Sequence, residues 1–146
     1  MASSRLKAKQ VVGGSVDSVW LSVLPLLAES AKYSNGELVA QDLYLGVKDY
    51  SMQLFIVWED DKIVFALVTE LQETRRKKIC TILAVGGKGA VEIMREFRGS
   101  FYLWLKANDV QSLRSFCRPA VSRLLQRIGF KVKCEMLEID MEGAML

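Results

Sequence analysis

The chain has 146 residues, of which 51% are apolar and 25% are charged, and its formal net charge is +3. This length and composition are typical of a single globular domain, and they exclude a disordered or fibrous chain. The chain contains no histidine, which excludes histidine-based triads and dyads and zinc sites that need histidine. Proton transfer at neutral pH would need a shifted carboxylate, cysteine, lysine or tyrosine, or a cofactor.

The mild charge does not favour nucleic-acid binding, and the spacing of the cysteines does not suggest a metal site. Cys80, Cys117 and Cys134 lie far apart in apolar, strand-like runs, which predicts reduced, buried thiols. Residues 1–10 are polar and basic and lack the apolar segment of a signal peptide, so we expect no secretion. The uncharged stretch 18–28 is too short to span a bilayer. We expect one domain over residues 1–146.

The first third of the chain predicts one strand followed by two helices. Residues 6–12 form a short candidate strand, and apolar residues recur at helical spacing over 16–31. Pro25 should kink this helix or mark its end. Ser34 and Glu37 have the spacing of a capping box, which predicts a second helix over 35–47.

The middle of the chain predicts three strands. Residues 52–58 and 62–69 are rich in strand-forming residues and flank a short acidic turn, which is typical of a hairpin. Residues 79–85 are apolar on both faces, as expected for a central strand, and a glycine-rich turn ends them.

The last third returns to helical spacing over residues 90–108. A strand over 110–117, a helix that opens at Pro119 and ends at Gly129, and a long strand over 130–141 complete the prediction. The order β-α-α-β-β-β-α-β-α-β predicts an α+β fold with a mixed, mostly antiparallel sheet.

Three features suggest an anion site. The sequence Gly-Gly-Lys-Gly (86–89) joins a strand to a long helix, where glycines let a ligand approach the backbone and free N–H groups can bind phosphate. A tight turn without a ligand explains the same glycines. Arg75 to Lys78, and Arg123 with Arg127, are either solvated surface or contacts to an anion or a partner.

Four passages, in this order, resemble the GNAT acyltransferase fold, and most of all the small GNAT-like proteins that tailed phages encode. They are MQLFIVW (52–58), ALVTEL (66–71) with RRK (75–77), ILAVGG (82–87), and CRPA (117–120) with LLQRIGF (124–130). The resemblance implies helices on both faces of the sheet and a central strand that splays from its neighbour to admit acetyl-CoA. It assigns Leu83, Ala84 and Val85 to the pantetheine arm, and it assigns the pyrophosphate to Gly87, Lys88, Gly89 and Ala90.

The chain departs from the family pattern at two positions. Ala84 stands where the phosphate loop usually has arginine or glutamine, and Leu125 stands where the final helix usually has a tyrosine. Because leucine cannot protonate a leaving thiolate, the usual acid is missing. Glu70, at the end of an apolar strand, and Tyr102 are the catalytic candidates that are left.

Two functions follow from the resemblance. The first is a phage-encoded binding or structural protein with a degenerate acetyl-CoA site, located in the virion or the host cytoplasm, with phage or host proteins as partners. The second is an active N-acetyltransferase that uses acetyl-CoA on an amine, because positioning and deprotonation supply much of that chemistry. Neither function needs a metal, a membrane or nucleic acid.

Overall fold

The structure is a computed structural model that describes residues 5–31 and 37–143. In it, five strands form one sheet in the order β1-β2-β3-β4-β5. Neighbouring strands are antiparallel except β4 and β5, which are parallel. This mixed sheet confirms the predicted fold class. The strands are β1 (Leu6–Val11), β2 (Gln53–Glu59), β3 (Lys62–Glu73), β4 (Lys78–Gly87) and β5 (Ser112–Ser115).

The helices cover both faces of the sheet, as predicted. The α-helices are α1 (Trp20–Ala31), α2 (Ala40–Lys48), α3 (Ala90–Ala107) and α4 (Pro119–Gln126), and Gly13–Ser18 and Met141–Gly143 are 3-10 turns. Among the described residues, no helix is both long enough and apolar enough to cross a membrane.

Alternation along the strands divides the core in two. Leu54 and Ile56 of β2 pack with α1 and α2, whereas Val57 packs on the other face, beside Ile93 of α3. Ala66 and Val68 of β3 belong to the α1 and α2 side. Because strand side chains point alternately to opposite faces, one strand contributes to both cores.

The first predicted helix differs in detail. The segment predicted to begin it forms a 3-10 turn over Gly13–Ser18, and the α-helix starts at Trp20. Pro25 does not mark the end of this helix, because α1 continues to Ala31. The carbonyl that loses its partner belongs to Leu21, whose side chain is 85% exposed, so water can reach that turn.

The second helix begins later than predicted. The proposed cap Ser34 lies outside the described residues, and α2 starts at Ala40. Asp42 fixes this start, since its Oδ2 accepts a hydrogen bond of 2.9 Å from the Val39 N–H. A carboxylate in the first turn also suits the positive end of the helix dipole.

The predicted C-terminal strand is wrong. Residues 130–140 form neither helix nor strand, and residues 131–140 are exposed. The apolar alternation 130, 132, 134, 136 changes phase to 137, 139, 141, so neither face of such a strand would be continuously apolar. The strand predicted over 110–117 is also shorter, because only Ser112–Ser115 pairs with β4.

The cysteines are not all buried, which corrects a second prediction. Cys80 lies in β4 and is buried, whereas Cys117 and Cys134 are exposed, and all three are free thiols. The two exposed cysteines lie in the segments where the predicted strands do not form. Without strand pairing, neither segment is drawn into the core.

Candidate functional site

The C-terminal half of β4 is unpaired on the side of β5. The parallel register runs from Ile79 opposite Ser112 to Ile82 opposite Ser115, and there β5 ends. From Leu83 to Gly87, β4 pairs with β3 alone among the described strands. β4 therefore has a free backbone edge that leads into the glycine turn, at the place where the sequence resemblance implies a splay.

A bulge marks the point where the free edge begins. In the pairing of β3 with β4, Val68 lies opposite Ala84 and Thr69 lies opposite Ile82, so Leu83 has no opposite residue. Ile82 packs on the α3 side, while Leu83 and Ala84 both pack on the α1 and α2 side. An extra residue in one strand re-aims the backbone locally, as bulges near binding sites do.

Helix α1 lies against this free half of β4. The Val85 N–H donates to Ser30 Oγ at 3.2 Å. A Cβ atom on Gly86 would lie 1.7 Å from the carbonyl oxygen of Leu26, so only glycine allows this approach. Ser30 was not predicted as a site residue. The only signal in the sequence is a hydroxyl in the last turn of an apolar helix.

In the glycine turn, Gly87 and Gly89 are each required for a different reason. Gly87 has φ +138°, and a Cβ there would lie 2.3 Å from the Val64 carbonyl oxygen. Gly89 has φ +71° and is the N-cap of α3, whose first backbone bond runs from the Ile93 N–H to the Gly89 oxygen at 3.1 Å. Lys88 is exposed between them. The free N–H groups of the first helical turn and this ammonium lie at one helix start, which suits an anion.

Glu70 takes part in a row of polar side chains on the α1 and α2 side of the sheet. It lies opposite Thr81 of β4 and two residues beyond Val68 on the same face. Thr81 Oγ1 donates to Gln72 Oε1 at 3.2 Å, and Gln72 Nε2 donates to Glu70 Oε1 at 2.9 Å. Since strands rise about 3.3 Å per residue, Thr81 precedes the bulge at Leu83 by about 7 Å. Sequence reasoning missed Thr81 and Gln72, because only the register of β3 against β4 brings them together.

Tyr102 does not join this site. It follows Ala90 by twelve residues in α3 and is exposed. At about 1.5 Å per residue, this places it about 18 Å along the helix from the glycine turn. Leu125, at the position where the resemblance implies a tyrosine, is 4% exposed and lies in α4.

The basic cluster that begins at Arg75 also lies apart from the glycine turn. Arg75 to Lys77 form the exposed turn between β3 and β4. Glu73 pairs with Lys78 there, at the first residue of β4, whereas Gly87 is the last residue of that strand. Arg123 and Arg127 are exposed at α4 and its C-cap. Within residues 5–31 and 37–143, no cluster of His, Cys, Asp or Glu is arranged to hold a metal ion.

The site has groups that fit the two polar parts of acetyl-CoA. The free backbone edge over Leu83–Val85 can pair with the amides of a pantetheine arm, and the start of α3 can face a pyrophosphate. One adjustment is needed, because Ser30 now accepts the hydrogen bond of the Val85 amide. A side-chain hydroxyl can release that amide by rotating about a single bond.

The chain is similar in structure to known acetyltransferases. An aminoglycoside acetyltransferase from an uncultured soil metagenomic sample superposes with a TM-score of 0.72 at 9% identity, covering 96% of this chain and 97% of its own. Glucosamine-6-phosphate N-acetyltransferase from Arabidopsis thaliana gives 0.65 at 11% identity, covering 93% and 98%. An acetyltransferase from Trypanosoma brucei gives 0.64 at 11% identity, covering 93% and 99%. No family model and no curated protein sequence matches the chain.

These likenesses extend over nearly the whole of each chain at very low identity, so what they establish is the fold. The chain has the fold of the GNAT acetyltransferases, as its sequence resemblance predicted. The closer resemblance to phage-encoded proteins and the roles of the individual site residues remain predictions.

Proposed function

We propose that this chain binds acetyl-CoA along the free half of β4 and transfers the acetyl group to an amine. The observation that carries the proposal is β4 itself, which continues beyond the end of β5 and leads through the glycine turn into an 18-residue helix. This arrangement supplies backbone hydrogen bonds for an extended ligand and a helix start for its phosphates.

Each part of the chain has one role in the proposal. The backbone of Leu83, Ala84 and Val85 holds the pantetheine arm. The N–H groups of Gly87, Gly89 and Ala90, with the charge of Lys88, face the pyrophosphate. When bound, acetyl-CoA supplies an activated acyl group as its thioester.

Glu70 is the proposed base for the incoming amine. Its carboxylate lies on the face covered by α1 and α2, across from Thr81 and close to the bulge in β4. Gln72 holds the carboxylate by a hydrogen bond. An ammonium group must lose a proton before it can attack a carbonyl carbon, so a carboxylate near the bulge can accelerate transfer.

A titration with acetyl-CoA tests binding. By calorimetry, wild-type protein should bind acetyl-CoA, and Lys88→Glu should weaken binding by about tenfold because it places a negative charge beside the phosphates. Lys106→Glu is the matched control, since it makes the same charge change at the other end of α3. No heat and no thermal shift with millimolar acetyl-CoA would overturn the proposal.

Ser30→Ala tests the pantetheine part of the site separately. Removing the hydroxyl frees the Val85 amide, so the variant should bind acetyl-CoA at least as tightly as wild type. Weaker binding by a folded S30A protein would show that the ligand does not pair with that amide.

Release of free thiol tests transfer. A panel of primary amines that includes an aminoglycoside and glucosamine 6-phosphate, the substrate types named for the similar enzymes, should give at least one accepted substrate. With that amine, Glu70→Gln should lower kcat by about 10²-fold or more, and Glu73→Gln, an exposed carboxylate on the same strand, should not. Equal rates for E70Q and wild type would exclude Glu70 as the base.

The buried Leu125 favours a second candidate, a binding or structural role without efficient transfer. General acids contribute about 10²–10⁴-fold, and this position offers no proton to a leaving thiolate. We propose that such a protein would act in a virion or in the cytoplasm of an infected host, as the resemblance of its sequence to phage-encoded proteins suggests. Acetyl-CoA binding without thiol release from any amine would support it, and mass spectrometry of purified phage particles would test the virion role.

A further inference from the structure

An apolar cavity lies between α3 and the face of the sheet, apart from the glycine turn. Its volume is about 180 Å³. The sheet contributes Phe55, Val57 and Leu67, and the underside of α3 contributes Phe97 and Phe101. Acidic residues are absent from its lining within the described part of the chain.

The cavity is open to solvent along one side, where exposed residues such as Ala8, Arg98 and Tyr102 border it, so a ligand can enter from outside. A dry apolar cavity of about 150 Å³ is large enough to take up a benzene ring. A volume of about 180 Å³ therefore suits an apolar group of roughly six to eight carbons. Water would find few hydrogen-bond partners there, so an alkyl chain is the better occupant.

The rim of the cavity carries a positive charge. Arg98 and Tyr102 border the cavity and are exposed, and residues four apart share one flank of a helix. Arg98 forms no ion pair with any other described residue. Lys9 also borders the cavity, but its ammonium lies over the Trp58 ring, 5.3 Å from the ring centre.

We propose that this cavity binds a medium-chain alkyl carboxylate, with the chain among the aromatic side chains and the carboxylate at Arg98. A guanidinium is suited to a carboxylate because its N–H groups match the two oxygens, and the Tyr102 hydroxyl can donate a further hydrogen bond. None of the residues assigned to acetyl-CoA lines this cavity, which reaches α3 at Ile93, one turn beyond the start of the helix.

Calorimetry with octanoate and with octanol separates the two halves of the proposal. Wild-type protein should bind both ligands, and octanoate should bind about tenfold more tightly because only the acid can pair with Arg98. In Arg98→Gln the preference for octanoate should disappear while octanol binds as before. Equal affinity for acid and alcohol in wild type, or no binding of either, would overturn the proposal.

A variant that fills the cavity tests its location. Leu113→Phe adds volume at the cavity wall and should abolish binding of both ligands. Leu103→Phe makes the same change at a residue of α3 that is 71% exposed, and it should leave binding unchanged. If Leu113→Phe does not fold, Met94→Phe at another point of the wall gives the same test. Undiminished binding in a folded, filled variant would place the ligand elsewhere and overturn the proposal.

Discussion

Gly86 is required by packing and not by backbone conformation. Of the glycines in the turn, it alone lacks a positive φ, yet a Cβ there would meet the backbone of Leu26 at 1.7 Å. Backbone cannot rotate aside as a side chain can, so any larger residue must push α1 away from β4. The approach that Gly86 permits also brings Ser30 to the Val85 amide.

We expect Gly86→Ala to destabilise the protein by about 1–3 kcal/mol, the usual cost of overpacking. Gly99→Ala is the matched control, because nothing lies within 4 Å of a Cβ at that helical position. The control should gain about 0.5–1 kcal/mol, since alanine favours a helix over glycine. Urea unfolding measures both changes, and a G86A protein as stable as wild type would refute the packing role.

Among the described cysteines, Cys80 is the one that is buried, and its exposed fraction is 0%. Burial raises the pKa of the Cys80 thiol to about 11, and a hydrogen bond with Thr69 acts in the opposite direction. A thiol that stays protonated at neutral pH is a poor nucleophile. Cys80 therefore acts as a small apolar residue of the core.

The raised pKa of Cys80 predicts a loss of stability in alkali. Its folded pKa, about 11, lies above the ordinary value of 9.0, so the native state keeps a proton that the unfolded chain releases. The stabilisation is complete below pH 9 and is lost as the pH rises through about 11. Between pH 8 and 11, wild type should lose about 2 kcal/mol more than Cys80→Ala, as measured by urea unfolding. Parallel pH curves for the two proteins would contradict this.

At the scale of elements, the C-terminal segment 130–140 differs most from its prediction. Several of its apolar side chains are exposed, and Leu137 is 90% exposed. Within the described residues, no backbone hydrogen bond outside regular elements has its donor in 131–140. By contrast, β4 is bonded to β3 along its length and also to β5 over four residues.

Hydrogen exchange should show this contrast. Amides of residues 131–140 should exchange with little protection, whereas those at the centre of β3 and β4, such as Leu67 and Thr81, should be protected by several orders of magnitude. The measurement is made by NMR or mass spectrometry at low protein concentration. Protection in 131–140 comparable to that of β4 would mean that the segment is paired in solution.

At the scale of the whole molecule, one sheet connects two cores. Ile56 and Val57 are neighbours in β2, yet they belong to the cores on opposite faces. Neither core can lose its strands without exposing the other. The two cores should therefore unfold together.

The three tryptophans report on this coupling from both sides. Trp20 and Trp58 pack on the α1 and α2 face, whereas Trp104 packs against Phe55 and Phe101 on the α3 face. In urea, fluorescence of a Trp20→Phe, Trp58→Phe double variant should report the same midpoint as circular dichroism of that variant. Separate midpoints would show that the face packed by α3 unfolds independently.

The sequence by itself determined the fold class and the order of the elements as far as α4, but not the end of the chain. The strand-forming residues over 52–58 and the helical spacing over 90–108 are local patterns, and each predicts its own element without reference to distant residues. The glycines at 86, 87 and 89 likewise marked the end of the central strand. The resemblance of four sequence passages to the GNAT acyltransferases predicted the correct fold.

The tertiary structure decided what depends on contacts between distant segments. Ser30 meets Val85, and Glu70 lies opposite Thr81, only because α1 lies on β4 and the strand register includes a bulge. The segment 130–140 has apolar residues suitable for a strand, but a strand needs a partner in matching phase, and β5 has four residues. Periodicity states which face a residue prefers, whereas pairing, register and close approach are properties of two segments at once.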